Sequence, residues 1–338
     1  MPSHIEALVS EKCSPVDAGS PNASDTTILV NPRSFRVRDR KRMEQIQAIA
    51  RDSDATAHIV HGPSDIAEAL SLHPARGLKR LVIIGGDGTV QAAISTLLEN
   101  SGTSLPKLLA LGGGRTNFTA RDLGTHDQPI VRLKTALQSP ERFRTEPRAI
   151  LRLEQPSTGK KLYGLFVAGA LVDHVIRDCH QYRAQNRGWL RTGHPSSLWR
   201  VLQLAGTGRL GRDAYAAPPM QLNAGCLGQM EQPIRLMVLS TLQHERGLIN
   251  PYADRGLGDI RITAISNNAK RFWRSLPSLL LGRGKASQSV DGGYLSGRCE
   301  SLTIRGLQSV CIDGQEWDFC AEDDVIISAD DKIDFLAQ

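Results

Sequence analysis

The most chemically informative stretch is a glycine-rich turn, Gly85-Gly86-Asp87-Gly88-Thr89, which lies between two apolar segments. Glycine has no Cβ atom and tolerates positive φ, so the backbone N–H groups of such a turn can approach a ligand closely. Apolar residues recur every three or four positions after the turn, which predicts a helix. The first N–H groups and the dipole of that helix favour an anion, so the turn predicts a phosphate-binding site.

Asp87 places a carboxylate inside this turn, where it would repel a phosphate group. The residue is explained if it binds Mg²⁺, or if it accepts a proton from a hydroxyl that attacks the phosphate. A structural explanation also exists, because an aspartate at the start of a helix can cap free N–H groups. We predict that Asp87 is catalytic and binds the metal, and we keep capping as the alternative.

Strands alternate with helical patterns in the first half of the chain. Four short strands are predicted, at residues 27–30, 57–60, 81–84 and 108–111. This alternation predicts a doubly wound α/β domain with a parallel sheet, in which the loops after the strands meet at one edge. Because Asn31, residues 85–89 and residues 112–117 each follow a strand, we expect three polar or glycine-rich loops to converge on one crevice.

The pattern changes beyond about residue 149 to many short strands separated by turn residues, which predicts a β-sandwich. Strands are predicted at residues 163–167, 234–240, 260–265, 301–304, 310–312 and 325–328. Helical insertions are predicted at residues 172–184, 197–204 and 268–281. The fold class is therefore an N-terminal doubly wound α/β nucleotide-binding domain followed by a C-terminal β-sandwich.

The boundaries of these parts follow from changes in composition. Residues 1–25 are rich in Ser, Pro, Asp and Ala and are predicted to be a disordered leader. We assign residues 26–147 to the α/β domain and residues 148–322 to the β-sandwich. Residues 323–338 are a separate C-terminal segment, whose acidic side chains predict a solvated face.

The composition limits the class of protein. The chain has 338 residues, 40% of them hydrophobic, and a net charge of +6, which favours anionic partners such as nucleotides and acidic lipid headgroups. Its six cysteines include no CxxC pair, which argues against a zinc site and favours a reducing cytoplasm. No apolar run reaches the ~18 residues of a membrane span, and no signal peptide is visible. We expect a cytoplasmic protein that contacts a membrane only peripherally.

Three motifs in the first domain resemble the diacylglycerol kinase catalytic-domain family, which includes bacterial lipid kinases and sphingosine kinases. The motifs are Asn31-Pro32 after the first strand, GGDGT at residues 85–89 and TNFTARDLG at residues 116–124. In the second domain, residues 247–252 resemble a Gly/Pro segment of the family, and residues 312–315 occupy the place of its Asp-Gly-Glu motif. The resemblance covers about residues 26–338 and is weakest between residues 170 and 230.

The resemblance implies ATP-dependent phosphorylation of a lipid hydroxyl in an interdomain cleft, with Mg²⁺, and a C-terminal segment that returns to the first domain. The residues that it implies for nucleotide binding are Asn31, Gly85, Gly86, Asp87, Gly88, Thr89, Val90, Gln91, Gly114, Arg115, Thr116 and Asn117. Those that it implies for catalysis are Asp87, Asp313, Gln315 and Glu316. The implied partner is a lipid at a membrane surface, at the inner face, and not a nucleic acid. A homodimer is compatible with the sequence.

Several positions depart from the family pattern. Ala92 stands where the family has a glutamate, so one carboxylate is missing. Arg115 replaces a threonine, and its guanidinium could clamp phosphate oxygens. The second-domain metal segment of the family aligns with residues 255–259, where Arg255 occupies a ligand position.

The most consequential departure is Gln315, at the place of the glutamate that is often assigned as proton acceptor. An amide cannot act as a general base near neutral pH. Either Asp313 or Glu316 then supplies the carboxylate, or Asp87 is the base, or the chain transfers phosphate slowly or not at all.

Three functions remain open on the sequence alone. The leading hypothesis is an ATP-dependent lipid kinase, favoured by Asn31-Pro32 and by residues 116–124. The second is a small-molecule kinase of the NAD-kinase type, which also uses a GGDG turn. The third is a catalytically impaired module that binds nucleotide or lipid, motivated by Ala92 and Gln315.

Two basic segments are candidates for contact with an anionic membrane. Residues 33–42 contain five arginines and one lysine, and residues 267–285 interleave basic residues with Trp and Leu. The structural alternative for each is a solvated helix or a core helix whose charged ends reach water.

Overall fold

The computed structural model describes residues 25–72, 77–100, 104–185, 219–243, 250–269, 272 and 290–338. Almost all of the predicted leader, the helix predicted at 197–204 and most of the basic segment at 267–285 lie outside the described residues. Within the described ranges, no helix is both long enough and apolar enough to cross a membrane.

The first domain alternates strands and helices as predicted. Its strands are β1 (Thr26–Val30), β2 (Thr56–Ile59), β3 (Arg80–Gly85) and β4 (Lys107–Gly112). Its helices are α1 (Arg40–Asp52), α2 (Pro63–Ser71), α3 (Asp87–Glu99), α4 (Phe118–Asp122) and α5 (Pro129–Gln138). The strands pair in parallel in the order β2–β1–β3–β4.

Burial on both faces explains why these strands read as continuous apolar runs. Leu29 and Ile83 pack into a core on one side of the sheet, and Ile28 and Val82 pack into a second core on the other side. Helices therefore cover both faces of the sheet. This is the doubly wound α/β domain that the sequence predicts.

The second domain consists mainly of antiparallel strands. Its elements are β5 (Arg144–Gln155), β6 (Lys160–Gly164), β7 (Phe166–Ala170), α6 (Leu171–Gln185), β8 (Gln221–Asn223), β9 (Gln229–Glu231), β10 (Ile234–Ser240), β11 (Ile260–Ser266), β12 (Tyr294–Cys299), β13 (Ser301–Arg305), β14 (Ser309–Ile312), β15 (Gln315–Asp318) and β16 (Asp324–Ala337). Six of these strands form one sheet in the order β12–β11–β10–β7–β14–β15. Strands β5, β6, β8, β9, β13 and β16 continue the sheet of the first domain.

The two sheets of the second domain share one core. Leu151 and Ile327 from the first sheet pack in the same buried cluster as Leu239 and Ile262 from the second. The α/β domain is thus followed by a β-sandwich, which agrees with the predicted fold class.

The strand predicted at residues 163–167 is two strands in the structure. Strand β6 ends at Gly164 and β7 begins at Phe166, and the two belong to different sheets. The N–H groups of Leu165 and Phe166 donate to the carboxylate of Asp313, at 2.8 and 3.0 Å. A side chain that is distant in sequence therefore satisfies the backbone where the chain crosses between sheets.

The final strand is much longer than the four residues predicted at 325–328. Strand β16 pairs along its length with β5, and its Phe335 also pairs in parallel with Leu108 of β4. The register shifts between Ser328 and Asp331, where the strand passes from one domain to the other. Exposed aspartates alternate with buried apolar residues along it, so most of the segment predicted at 323–338 is an amphipathic strand, which reaches β4 of the first domain.

Candidate functional site

The three predicted loops meet at the carboxyl edge of the parallel sheet. The side-chain amide of Asn31 donates to the hydroxyl of Thr89 at 3.0 Å, which ties the loop after β1 to the glycine turn. The N–H of Gly113 donates to the carbonyl of Gly85 at 2.8 Å, which ties the loop after β4 to the same turn. The parallel topology thus brings together residues that the sequence separates.

Two of the glycines are required by the packing of this turn. A Cβ atom on Gly85 would lie 2.7 Å from Cβ of Thr89, and one on Gly114 would lie 2.7 Å from Cα of Gly86. Both contacts are shorter than real Cβ atoms make, so a larger residue at Gly85 would disturb the turn itself and one at Gly114 would force the two loops apart. Asn117 holds the second loop in shape, because its side-chain amide donates to the carbonyl of Gly114 at 2.9 Å.

A cavity of about 350 Å³ opens beside these loops. Its walls come from the loop after β1, the loop between β2 and α2, the glycine turn with the start of α3, and the turn between β14 and β15. The last of these belongs to the second domain. The cavity is therefore an interdomain site, with backbone N–H groups at the start of α3 on one side.

The turn of the second domain has a defined geometry. Asp313 and Gly314 have φ of 47° and 88°, and Ile312 pairs with Gln315. A two-residue hairpin with positive φ at both positions matches the twist of its strands, and Asp-Gly is a favoured sequence for it. The turn aims Gln315 at the first domain, where its amide donates to the carbonyl of Gly88 at 3.4 Å.

Asp313 is a buried carboxyl group at the wall of the cavity, with 6% of its surface exposed. Burial raises its pKa to about 8, against the N–H groups of Leu165 and Phe166, which lower it. The negative charge of Asp87 also raises this pKa. The two carboxylates, one from each domain, therefore lie close enough to interact.

Asp87 begins α3 and is partly buried. Burial raises the pKa of its carboxyl group, and N–H groups at the start of α4 oppose the rise. One of them, the N–H of Thr119, donates to Asp87 Oδ1 at 3.1 Å. The carboxylate is thus held by α4, the helix that follows the third loop, rather than by its own helix as a cap.

Glu316 does not reach the cavity. Strand alternation turns its side chain to the opposite side of β15 from Gln315, and its carboxylate lies 3.6 Å from the guanidinium of Arg177 on α6. The structure therefore does not support the alternative in which Glu316 supplies the catalytic carboxylate. Of the two carboxylates at the hairpin turn, Asp313 lines the cavity and Glu316 does not, and the amide of Gln315 also lines it.

Of the twelve nucleotide-binding candidates, four line the cavity, namely Asn31, Gly86, Gly88 and Thr89. The other eight do not line it, namely Gly85, Asp87, Val90, Gln91, Gly114, Arg115, Thr116 and Asn117. The side chain of Gln91 is buried and donates to the carbonyl of Tyr163 at 2.9 Å, so it joins α3 to the second domain instead of facing a phosphate. The guanidinium of Arg115 lies 5.6 Å from the ring centre of Phe35. Thr116 is exposed, and its carbonyl accepts from Arg121. Val90 is buried and contributes its N–H to the first turn of α3.

The donor set fits one kind of metal site. No group of three or more His, Cys, Asp or Glu side chains suited to a metal occurs in the described part of the chain. Mg²⁺ commonly uses only one or two carboxylates together with substrate phosphates and water. Asp87 is one such carboxylate, so the residues present fit Mg²⁺ bound jointly with a phosphate ligand.

The second-domain segment at 255–259 does not fit a metal. The guanidinium of Arg255 donates to the carbonyl of Ser296, and Asp259 lies 3.4 Å from the ammonium of Lys332. One of these positions is thus itself a cation, and the carboxylate at the other is paired with a lysine. The structure therefore agrees with the sequence, in which Arg255 replaces a metal ligand of the family pattern.

Sequence reasoning missed two parts of the site. The loop between β2 and α2 contributes Val60, His61 and Pro63 to the cavity, although the rule that predicts loops at the carboxyl edge applies to β2 as well. The second part is the pair Phe118 and Phe166, whose rings stack and whose backbone N–H groups contact the carboxylates of Asp87 and Asp313. No local sequence pattern predicts this pair, because Phe166 reaches Phe118 only where the chain passes from β6 in one sheet to β7 in the other.

Known proteins are similar to this chain in the region that carries the glycine turn and in the two-domain fold. Residues 25–144 match the sequence model of the diacylglycerol kinase catalytic domain. A protein of Chromohalobacter salexigens named "Probable lipid kinase YegS-like" is 28% identical over 123 residues, which are 35% of this chain and 38% of that protein. The matched segment thus spans less than half of the curated relative.

Solved structures extend the likeness across both domains. A Bacillus anthracis str. Sterne protein assigned provisionally as a diacylglycerol kinase has a TM-score of 0.63 at 13% identity, over 96% of this chain and 98% of that one. A diacylglycerol kinase of the same strain has a TM-score of 0.59 at 11% identity, over 95% and 98%. At such low identity these matches show the shared fold.

The matched catalytic domain coincides with the region that carries the glycine turn and the Asn31 and Asn117 loops. The same two-domain fold occurs in the solved structures. Residues 25–144 are therefore similar to the diacylglycerol kinase catalytic domain, and both domains of the chain share the fold of the solved structures.

Proposed function

We propose that the protein is an ATP-dependent lipid kinase that transfers the γ-phosphate to a lipid hydroxyl between its two domains. The observation that carries this proposal is the cavity in which the glycine turn of the first domain faces the Asp313 turn of the second. A phosphate-binding turn on one wall and a carboxylate on the opposite wall suit the transfer of a phosphoryl group to an alcohol.

In this proposal the phosphates of ATP lie against the N–H groups at the start of α3, with Asn31 and Thr89 shaping the crevice. Asp313 accepts the proton of the attacking hydroxyl, because a carboxyl group with a pKa of about 8 is matched to proton transfer near neutral pH. Asp87, held by the start of α4, supplies an oxygen ligand for Mg²⁺, and the phosphates of ATP and water would supply the others. The bound metal would neutralise charge on the transferred phosphate.

The test is a transfer assay with ATP labelled in the γ-phosphate. The acceptors are diacylglycerol, monoacylglycerol, a sphingoid base and phosphatidylglycerol in detergent micelles, with NAD as the small-molecule acceptor. We expect a labelled lipid, identified by its mass. Labelled NAD phosphate in place of a lipid product would favour the small-molecule kinase and end the lipid proposal.

Substitution of the two carboxylates tests their roles. Asp87→Asn keeps an acceptor for the N–H of Thr119 but loses the charge, and we expect transfer to fall by at least about 100-fold. Asp313→Asn should cause a similar loss while the protein still binds ATP. Glu316→Gln is the matched control, since this carboxylate faces Arg177 outside the cavity. Full transfer by Asp87→Asn would show that the chemistry lies elsewhere.

A second candidate function, a catalytically impaired member of the family, is favoured by one observation. Gln315 is the side chain that the hairpin aims at the glycine turn, and it carries an amide. If the amide limits the rate, Gln315→Glu should raise turnover over that of the natural chain. If the natural chain binds ATP and transfers nothing, and Gln315→Glu restores transfer, the impaired function is the correct one.

A further inference from the structure

Two aromatic rings stack across the domain boundary, outside the nucleotide cavity. The rings of Phe118, from the first domain, and Phe166, from the second, have centres 5.4 Å apart and planes inclined by 29°. Phe118 remains 42% exposed although it is a large apolar side chain. The stack is therefore an apolar surface that is open to a ligand.

The backbone of each residue in this pair holds one of the two carboxylates. The N–H of Phe166 donates to Asp313 Oδ1 at 3.0 Å. The N–H of Phe118 interacts with the carboxylate of Asp87 and opposes the rise of its pKa. Each ring thus belongs to a residue whose backbone N–H contacts one of the two carboxylates, which places the stack next to the groups that would handle the acceptor hydroxyl.

A purely structural role explains this exposure poorly. Other contacts already join the domains, among them the pairing of Phe335 in β16 with β4 and the bond from Gln91 to the carbonyl of Tyr163. A stack whose only purpose was to join the domains would bury both rings, because burial is the source of its free energy. Phe118 instead leaves much of its surface available.

We infer that Phe118 and Phe166 form the contact surface for the apolar part of the acceptor and so determine specificity. The inference rests on the proposed function. A substrate with its hydroxyl at Asp313 and hydrocarbon against the rings must carry that hydrocarbon within a few bonds of the reactive hydroxyl. The pair therefore favours such alcohols over lipids whose hydroxyl lies at the end of a polar headgroup.

The experiment compares Phe118→Ala, Phe118→Leu and Ile326→Ala with the natural chain, using ATP and dioctanoylglycerol in micelles. Ile326 is the matched control, because it is also 42% exposed but lies on β16. We expect Phe118→Ala to raise the KM for dioctanoylglycerol about tenfold or more, since a large apolar contact is lost. Its KM for ATP should change by less than about twofold, and Phe118→Leu should restore most of the acceptor affinity.

Other outcomes overturn the inference. A merely structural role would raise both KM values together, lower the melting temperature, and make Phe118→Ala resemble a general loss of fold. An unchanged KM for dioctanoylglycerol in Phe118→Ala would also exclude the acceptor surface.

If the natural chain transfers no phosphate to any acceptor, the proposed function fails but the surface can still be tested. Binding of radiolabelled dioctanoylglycerol to the protein is then measured by equilibrium dialysis below its micelle-forming concentration. Weaker binding by Phe118→Ala than by Ile326→Ala supports the surface, and equal binding overturns it.

Discussion

The carboxyl group of Asp313 combines burial with two hydrogen bonds from the backbone. The N–H groups of Leu165 and Phe166 fix its orientation, while the surrounding protein and Asp87 disfavour its charge. Because Asp87 lies in the first domain and Asp313 in the second, the pKa of Asp313 depends on how the two domains pack together.

The raised pKa of Asp313 predicts a loss of stability as pH rises. An unfolded aspartate releases its proton near pH 4, whereas the folded chain holds it up to about pH 8. Between these values the folded state binds more protons than the unfolded state, so the free energy of unfolding falls with pH. Unfolding in urea at pH 5, 6, 7, 8 and 9 measures the slope.

Asp313→Asn should flatten that pH dependence, because the substituted side chain does not titrate. The variant also loses one acceptor for a backbone N–H, which costs about 1 kcal/mol at every pH. Equal slopes for the natural chain and Asp313→Asn would contradict the raised pKa.

The close approach of the glycine loops makes a second prediction. Gly114→Ala should lower the free energy of unfolding and weaken ATP binding, because the added Cβ would meet the backbone of Gly86 at 2.7 Å. Gly62→Ala is the stability control, since no atom lies within 4 Å of its added Cβ. Urea unfolding of both variants measures the difference, and equal destabilisation would refute the packing argument.

For individual residues, the sequence predicts the positions of those that directly follow a recognisable strand. The glycine turn and Asn31 both follow apolar strands, so the carboxyl-edge rule locates them correctly. The choice between Gln315 and Glu316 could not be made from sequence. It depends on the two-residue turn at Asp313-Gly314, which sets which of two adjacent side chains faces the first domain.

Strands and helices are predictable from the sequence where their apolar residues follow one regular pattern without interruption. Strand β3, buried on both faces, is a continuous apolar run, and its predicted and observed positions nearly coincide. Strand β16 was recognised only in part, because aspartates interrupt its alternation and a register shift near Ser328 breaks its period. The division of β6 from β7 was missed because the carboxylate that stabilises it comes from Asp313.

Strand β16 should be essential to the stability of the first domain. Phe335 is fully buried among the residues of the core that includes Leu29 and Ile83. We expect Phe335→Ala to lower the free energy of unfolding by about 3–5 kcal/mol, as large aromatic truncations do. Ile326→Ala on the same strand is exposed and should cost less than about 1 kcal/mol. Urea unfolding compares the two, and equal effects would contradict the assigned burial.

For the whole molecule, we propose that a surface beside the nucleotide site contacts an anionic membrane. Phe35 is 43% exposed, and the guanidinium groups of Arg38 and Arg115 lie 5.2 and 5.6 Å from its ring centre. Val131, which is 58% exposed, borders the same groove. Exposed apolar side chains among arginines suit the interface of an acidic bilayer.

Sedimentation with vesicles tests this contact. We expect the protein to bind vesicles that contain phosphatidylglycerol and to bind less at high salt, because salt screens the arginine charges. Phe35→Ala should reduce binding, whereas Leu72→Ala, an exposed residue after α2, should not. Equal binding to vesicles of phosphatidylcholine alone would contradict an electrostatic surface.

The path of β16 has a consequence for how the chain is made. The parallel sheet of the first domain receives the partner of β4 from β16, which follows all the other strands of the second domain in the sequence. During synthesis, the edge of β4 that later pairs with β16 has no strand partner until β16 has been made. We therefore expect the nascent first domain to need protection from aggregation until synthesis has passed β16.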